Sequence, residues 1–196
     1  GASARVNVTV YITADSAFTV LDDAGYVLDE GARVTVRHVV LGGAHTYTGL
    51  AADLRGDTAR MDIDTRYLAS GSESRDFNYV IRQRGRRTIS NMDANGVLTG
   101  NAKKVLRGTI DLVHGCKGAE NETVLLASRG VDNKTVPVIL CDEDDVAGNH
   151  GATIGHVRPE QLFYLGCRGL SEEAAEALFT AAKLEDAALS APDAEM

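Results

Sequence analysis

The sequence predicts a mainly β protein followed by a small C-terminal helical region. Three observations carry that expectation. Apolar and polar residues alternate with a period of two through much of the chain up to about Val146. Glycine is abundant, at 20 residues, while proline is scarce, at 3, a balance that suits tight turns between regular strands rather than a disordered linker. After Val157 the pattern changes to helix signals.

The strands can be taken in order. Arg5 to Tyr11 alternates Val6, Val8 and Val10 with Asn7 and Thr9. Arg33 to Val39 places Val34, Val36 and His38 on one face, and Arg60 to Tyr67 sets Met61, Ile63 and Thr65 against Asp62, Asp64 and Arg66. Such a period marks a strand with one buried face. Further strands are expected at Asn78–Gln83, Arg87–Met92, Lys104–Val113, Glu122–Leu126 and Val136–Cys141. Turn formers separate them: Gly42-Gly43, Gly71, Gly85, Asn95-Gly96, Gly100-Asn101, Gly115 and Gly130. Sandwich, jelly roll and parallel β-helix all fit short strands at even spacing. The small residues of Val97-Leu-Thr-Gly-Asn-Ala102 and Ile110-Asp-Leu-Val-His-Gly115 suit the corners of a solenoid. Pattern alone leaves β-helix and jelly roll level.

Pro159 suits a first helical turn, Glu160 complements the helix dipole there, and Gly169 is a natural terminator. Leu162, Phe163 and Leu165 form the apolar face of this first helix. Ser171 offers an N-cap to a second helix, which runs to about Leu189 with Ala174, Leu178, Ala181 and Ala182 along one side. The chain therefore divides into a β core over residues 1–157, a helical region over 158–189 and a flexible tail over 190–196. From Ser171 onward seven acids face one base, Lys183, which reads first as a solvated helix face.

The length of 196 residues fits one domain with a core of its own, and the apolar (44%) and charged (24%) fractions are those of an ordinary globular chain. A net charge of −8 makes it a poor partner for nucleic acid or anionic lipid. No apolar run reaches the length of a membrane span. Three scattered cysteines do not form a disulfide framework, so a reducing cytoplasm is expected. The chain opens Gly1-Ala2-Ser3 without Met, as a piece of a longer protein would. The run Arg82-Gln-Arg-Gly-Arg-Arg87 is read as surface charge spread over both strand faces. A phosphate-binding Gly-x-x-x-x-Gly-Lys-Ser/Thr loop and a Gly-x-Ser-x-Gly elbow are both missing from the sequence.

The most informative stretch is Cys141-Asp-Glu-Asp-Asp-Val-Ala-Gly-Asn-His150-Gly-Ala-Thr-Ile-Gly155, followed by His156-Val-Arg-Pro-Glu-Gln-Leu-Phe-Tyr-Leu165-Gly-Cys-Arg-Gly-Leu170 and Ser171-Glu-Glu-Ala-Ala. It resembles the SufB/SufD family of iron–sulfur cluster assembly scaffold proteins. The His150-Gly-Ala-Thr form is similar to the SufD branch. The resemblance is good over residues 88–188, where Gly96-Val-Leu-Thr-Gly100, Arg107-Gly-Thr-Ile-Asp111 and Asn121–Ser128 also match, and weaker upstream.

The resemblance implies a right-handed parallel β-helix followed by a small helical C-terminal region. It implies a scaffold that carries a nascent iron–sulfur cluster transiently, holds no tight cofactor and catalyses nothing itself. The implied partners are a SufB-like protein and a SufC-like ABC ATPase, the latter docking on residues 158–189. His150 corresponds to the family's suspected cluster ligand, and Cys141, nine residues before it, to the suspected cysteine. Cys116 and His114 are weaker metal candidates. Glu160, Phe163, Tyr164, Arg168, Leu170 and Glu173 are the expected partner-binding residues. Two alternatives stand beside this reading. One is a homodimeric SufBD-type scaffold in which two copies supply both ligand types. The other is a small β-helix or jelly-roll metalloenzyme using His114, Cys116 and another histidine.

Overall fold

A computed structural model describes residues 1–189; the tail expected over 190–196 lies outside the described residues. The chain climbs through eleven strands that alternate between two sheets. The first sheet holds β1 (Arg5–Ile12), β3 (Arg33–Val40), β5 (Arg60–Ala69), β7 (Ile89–Leu98), β9 (Lys117–Leu126) and β11 (Ala147–His156), in that spatial order. The second holds β2 (Thr19–Leu28), β4 (His45–Leu54), β6 (Ser74–Gln83), β8 (Lys103–Leu112) and β10 (Asp132–Cys141). Every pairing is parallel and joins a strand to the next strand but one. This is a parallel β-helix, not a jelly roll. One coil takes between 26 residues, from Thr19 to His45, and 30, from Lys117 to Ala147.

In-register stacking turns the period-two alternation into continuous interior columns. Leu28, Leu54, Gln83, Leu112 and Cys141 form one of them, and Val36, Ile63, Met92, Glu120 and His150 another. The core between the sheets is most complete over β3 to β8, with Val36, Leu54, Met61, Tyr67, Phe77, Tyr79, Ile81 and Ile110 buried. It thins at both ends, where Leu21 is 79% exposed and most of β11 is open. Arg75 clamps a corner from inside: it is 1% exposed, donates to the carbonyls of Leu68 and Gly43 at 2.9 and 2.8 Å, and pairs with Glu73 at 2.8 Å.

β2, β4 and β11 are missing from the expected strand set. Their residues are rich in Gly, Ala, Asp and Asn, and their extended state is imposed by the strand each stacks on. The basic run also differs from expectation. Arg82 and Arg84 share one outer face, paired with Asp111 at 3.0 Å and Asp53 at 3.2 Å. Gln83 between them turns inward to Thr88.

After β11 come α1 (Pro159–Gly166) and α2 (Glu172–Leu189). The Arg158 N–H donates to Gln161 Oε1 at 3.0 Å, closing the first turn. Gly169, at φ +88°, ends the helix in a conformation that favours glycine. Ser171 Oγ accepts from the Ala174 N–H at 3.2 Å and caps α2. α2 packs back across β5 and β7. Its inner stripe is Ala175, Phe179 and Leu184, not the expected Ala174, Leu178, Ala181 and Ala182. Val39 and Val97, on outward positions of β3 and β7, are buried apart from the main core, so the sheet's outer face carries a second small apolar site. No helix among the described residues is long and apolar enough to cross a membrane.

Candidate functional site

The solenoid ends on β10 and β11, the edge strands of their sheets. His150 is the fourth residue of β11, exposed, and in register with Glu120 on β9. Parallel neighbours in register share a face, so His150 stands on the interior column above Glu120. Between β10 and β11 the open coil leaves a cleft of about 760 Å³ lined by Glu120, Glu122, Asn133, Thr135, Pro137 and His150, among others.

The floor of this cleft is polar. Glu122 is buried and accepts from the Lys104 ammonium, from the Thr135 hydroxyl and, at 2.9 Å, from the Tyr67 hydroxyl. Lys104 also donates to Thr135 Oγ1 at 3.2 Å. Burial pulls the Lys104 ammonium below its ordinary pKa, with Glu122 opposing that pull. Burial beside Glu122 pushes the Tyr67 hydroxyl well up.

Glu120 is different. It is 3% exposed, and neither carboxylate oxygen has a hydrogen-bond partner among the described residues. Its carboxylate lies against Gly108 of β8, where a Cβ would come within 2.2 Å of Oε1 and 2.5 Å of Oε2. Burial, reinforced by Glu122 and opposed by Lys104, raises its pKa to about 7.

Cys141 is the last residue of β10, exposed, on the interior column of Leu112. It stands at the turn end of its strand, while His150 lies within β11. Cys116 is buried just before β9, and its carbonyl accepts from Ala147 N–H at 3.0 Å. Burial raises its thiol pKa. A second cleft, of about 410 Å³, opens onto Cys116 between Arg87, Lys117, Asp144 and Asp145. The weaker metal candidates His114 and Cys116 do not share a strand face. His114 sits in the turn after β8 and reaches outward to Glu143 at 3.0 Å, while Cys116 faces in. Among the described residues, no three His, Cys, Asp or Glu side chains are grouped so as to hold a metal ion.

In the helical region Phe163 is 74% exposed and Tyr164 56%, with the Arg168 guanidinium 4.5 Å from the Tyr164 ring. Glu160 and Glu173 are exposed, and Leu170 is half-buried beneath its bond to the Leu165 carbonyl. A groove of about 390 Å³ between the helices is lined by Glu160, Tyr164, Leu165, Leu178 and Phe179.

Sequence reasoning missed Lys104, Glu120 and Glu122 as site residues. The signal was present: Glu120-Asn-Glu122 alternates in step with Val124, which puts both acids inside any strand that buries Val124. A strand taken to start at Glu122 leaves Glu120 outside it.

A parallel β-helix with a polar, histidine-bearing open end and a helical pair defines a class of protein, and the comparisons identify it. The family model for "SUF system FeS cluster assembly, SufBD core domain" matches residues 1–183, and the chain belongs to this family. Within it the chain is SufD-like. It is 33% identical over 129 residues to the iron–sulfur cluster assembly protein SufD of Bacillus subtilis, covering 64% of this chain and 30% of that protein. The SufD of Escherichia coli is 26% identical over 153 residues, 76% of this chain and 36% of its own length. An iron–sulfur cluster assembly SufBD family protein of Mycobacterium tuberculosis is 28% identical over 142 residues, 71% of this chain and 17% of its own length. The chain thus spans about a third or less of each of these relatives.

Proposed function

We propose that this chain is the SufD-like core of a non-catalytic scaffold on which iron–sulfur clusters are assembled and passed on. The observation that carries the reading is the match of the SufBD core domain through both the open coil and the helices. The nascent cluster is cargo, not a resident cofactor. His150 and Cys141 are both exposed on the last coil, and imidazole and thiolate are donor types that suit iron. They lie on different interior columns, so one chain supplies an incomplete donor set and a second protein supplies the rest. That second protein is SufB-like or a second copy of this chain, and the edge of β11 is open for pairing with it.

The helical pair is the docking module for a SufC-like ABC ATPase. Phe163 and Tyr164 present apolar surface that α1 does not use internally, flanked by Arg168, Glu160 and Glu173. Substituting Phe163→Ala with Tyr164→Ala should abolish co-purification with the ATPase while leaving the unfolding midpoint unchanged. Capture at the wild-type level by the double variant would refute the docking assignment.

A further inference from the structure

We propose that Cys116 and Cys141 are a modification site: a reversible disulfide that ties the last coil of the solenoid to the coil beneath it when the chain meets a peroxide. The disulfide rests on the geometry of one corner; only its consequence for cargo rests on the scaffold reading.

The corner is the one at which each strand of the second sheet turns into the next strand of the first. Where β6 turns into β7, the inward side chains on its two sides touch: the Gln83 amide donates to the Thr88 hydroxyl at 3.0 Å. One rung up, the residues at these two positions are Leu112, which is in register with Gln83, and Cys116. Both are buried, and the Lys117 N–H donates to the Thr88 carbonyl at 3.0 Å, which stacks Cys116 on Thr88. On the last rung Cys141 is in register with Leu112, and the Ala147 N–H donates to the Cys116 carbonyl at 3.0 Å. Cys141 therefore stands one rung above Cys116, a rise of about 4.8 Å, on the facing side of the same corner. Burial raises the Cys116 thiol pKa and Cys141 adds to the rise, so the two sulfurs lie within electrostatic reach of each other.

The two thiols differ in access, which assigns their roles. Cys141 is exposed, while Cys116 is buried behind the cleft between Arg87, Lys117, Asp144 and Asp145. An accessible thiol is oxidised first, and a shielded neighbour resolves it. In the first step the Cys141 sulfur attacks one oxygen of hydrogen peroxide, the O–O bond breaks, and Cys141 becomes a sulfenic acid as one water leaves. In the second the Cys116 sulfur attacks the sulfenic sulfur, the S–O bond breaks, and a second water leaves. Two thiols have lost two protons and two electrons, and one peroxide has become two waters. A dithiol reductant reverses the change by exchange. Cys167 is also exposed, but it caps the end of α1, away from this corner. In the oxidised chain Cys141 is withdrawn from the donors that the open end offers to cargo.

The test adds hydrogen peroxide to the whole, fully reduced chain, counts free thiols and maps linked peptides by mass spectrometry. The wild type should fall from three free thiols to one, yield a Cys116–Cys141 peptide pair, and regain all three thiols with dithiothreitol. Cys167→Ser should form the same link, and Cys141→Ser should form none. Cys141 is exposed, so its variant reports even if substitution of the buried Cys116 perturbs folding. Three thiols surviving in the folded wild type at a dose that oxidises free glutathione would overturn the proposal. So would a link from either cysteine to Cys167, a link between two chains through Cys141, or any disulfide in Cys141→Ser. Thiol counting needs neither cluster nor ATPase, so this site and the scaffold reading can fail independently.

Discussion

Two buried polar clusters set the energetics at the scale of single residues. Glu122 and Lys104 are buried together in the floor of the cleft, where Tyr67 and Thr135 also hydrogen-bond Glu122. Such a pair contributes little net stability, but losing one partner leaves a buried charge alone. Glu122→Ala should therefore cost about 3–5 kcal/mol in urea unfolding, and adding Lys104→Met should restore much of it. In the second cluster, His38 Nδ1 lies 3.0 Å from the Tyr79 hydroxyl, which is also 3.0 Å from Thr65 Oγ1, while Nε2 is 3.6 Å from Asp22. Burial lowers the His38 pKa, with Asp22 opposing. The folded chain keeps this imidazole neutral, while the unfolded chain protonates it below about pH 6.5. Its contribution is complete above that pH and is lost as the pH falls toward the depressed folded-state value. His38→Gln should show a shallower loss of stability between pH 7 and 5 than the wild type, and parallel curves would exclude His38 as the cause.

At the scale of elements, legibility followed the strength of local chemistry. Strands such as β5 and β8 announced themselves because β-branched and aliphatic residues alternate with charges. β2, with Asp22-Asp-Ala-Gly25, and β11, with Ala147-Gly-Asn-His-Gly-Ala152, carry too little intrinsic preference; their register partners on β4 and β9 hold them extended. The helix boundaries were readable because Pro159, Gly169 and Ser171 act within one turn of themselves. The inner stripe of α2 was not, because alanine is compatible with either side of a helix. Phe179 and the outer face of the β5–β7 sheet decide which side packs. The candidate site was half legible: His150 stood out through its motif, whereas Glu120 acquired meaning only when Gly108, from the opposite sheet, was seen beside it.

For the whole molecule, the choice between β-helix and jelly roll depended on pairings 26 to 30 residues apart, which alternation within one strand does not encode. The result is a quasi-one-dimensional stack in which each coil is stabilised by its neighbours. Burial is densest in the middle coils and falls toward β1, β2, β10 and β11. Amide hydrogen exchange should be slowest in β5 to β8 and fastest in the terminal strands; uniform protection along the chain would contradict this gradient. The return of α2 across β5 and β7 has a consequence for assembly. It sets α2 over the middle of the first sheet rather than on the open edge of β11. In the scaffold proposed above, a partner bound along α2 would sit over the middle rungs and a second solenoid on the β11 edge would sit at the end, and the stacked rungs between them would be the path from one to the other.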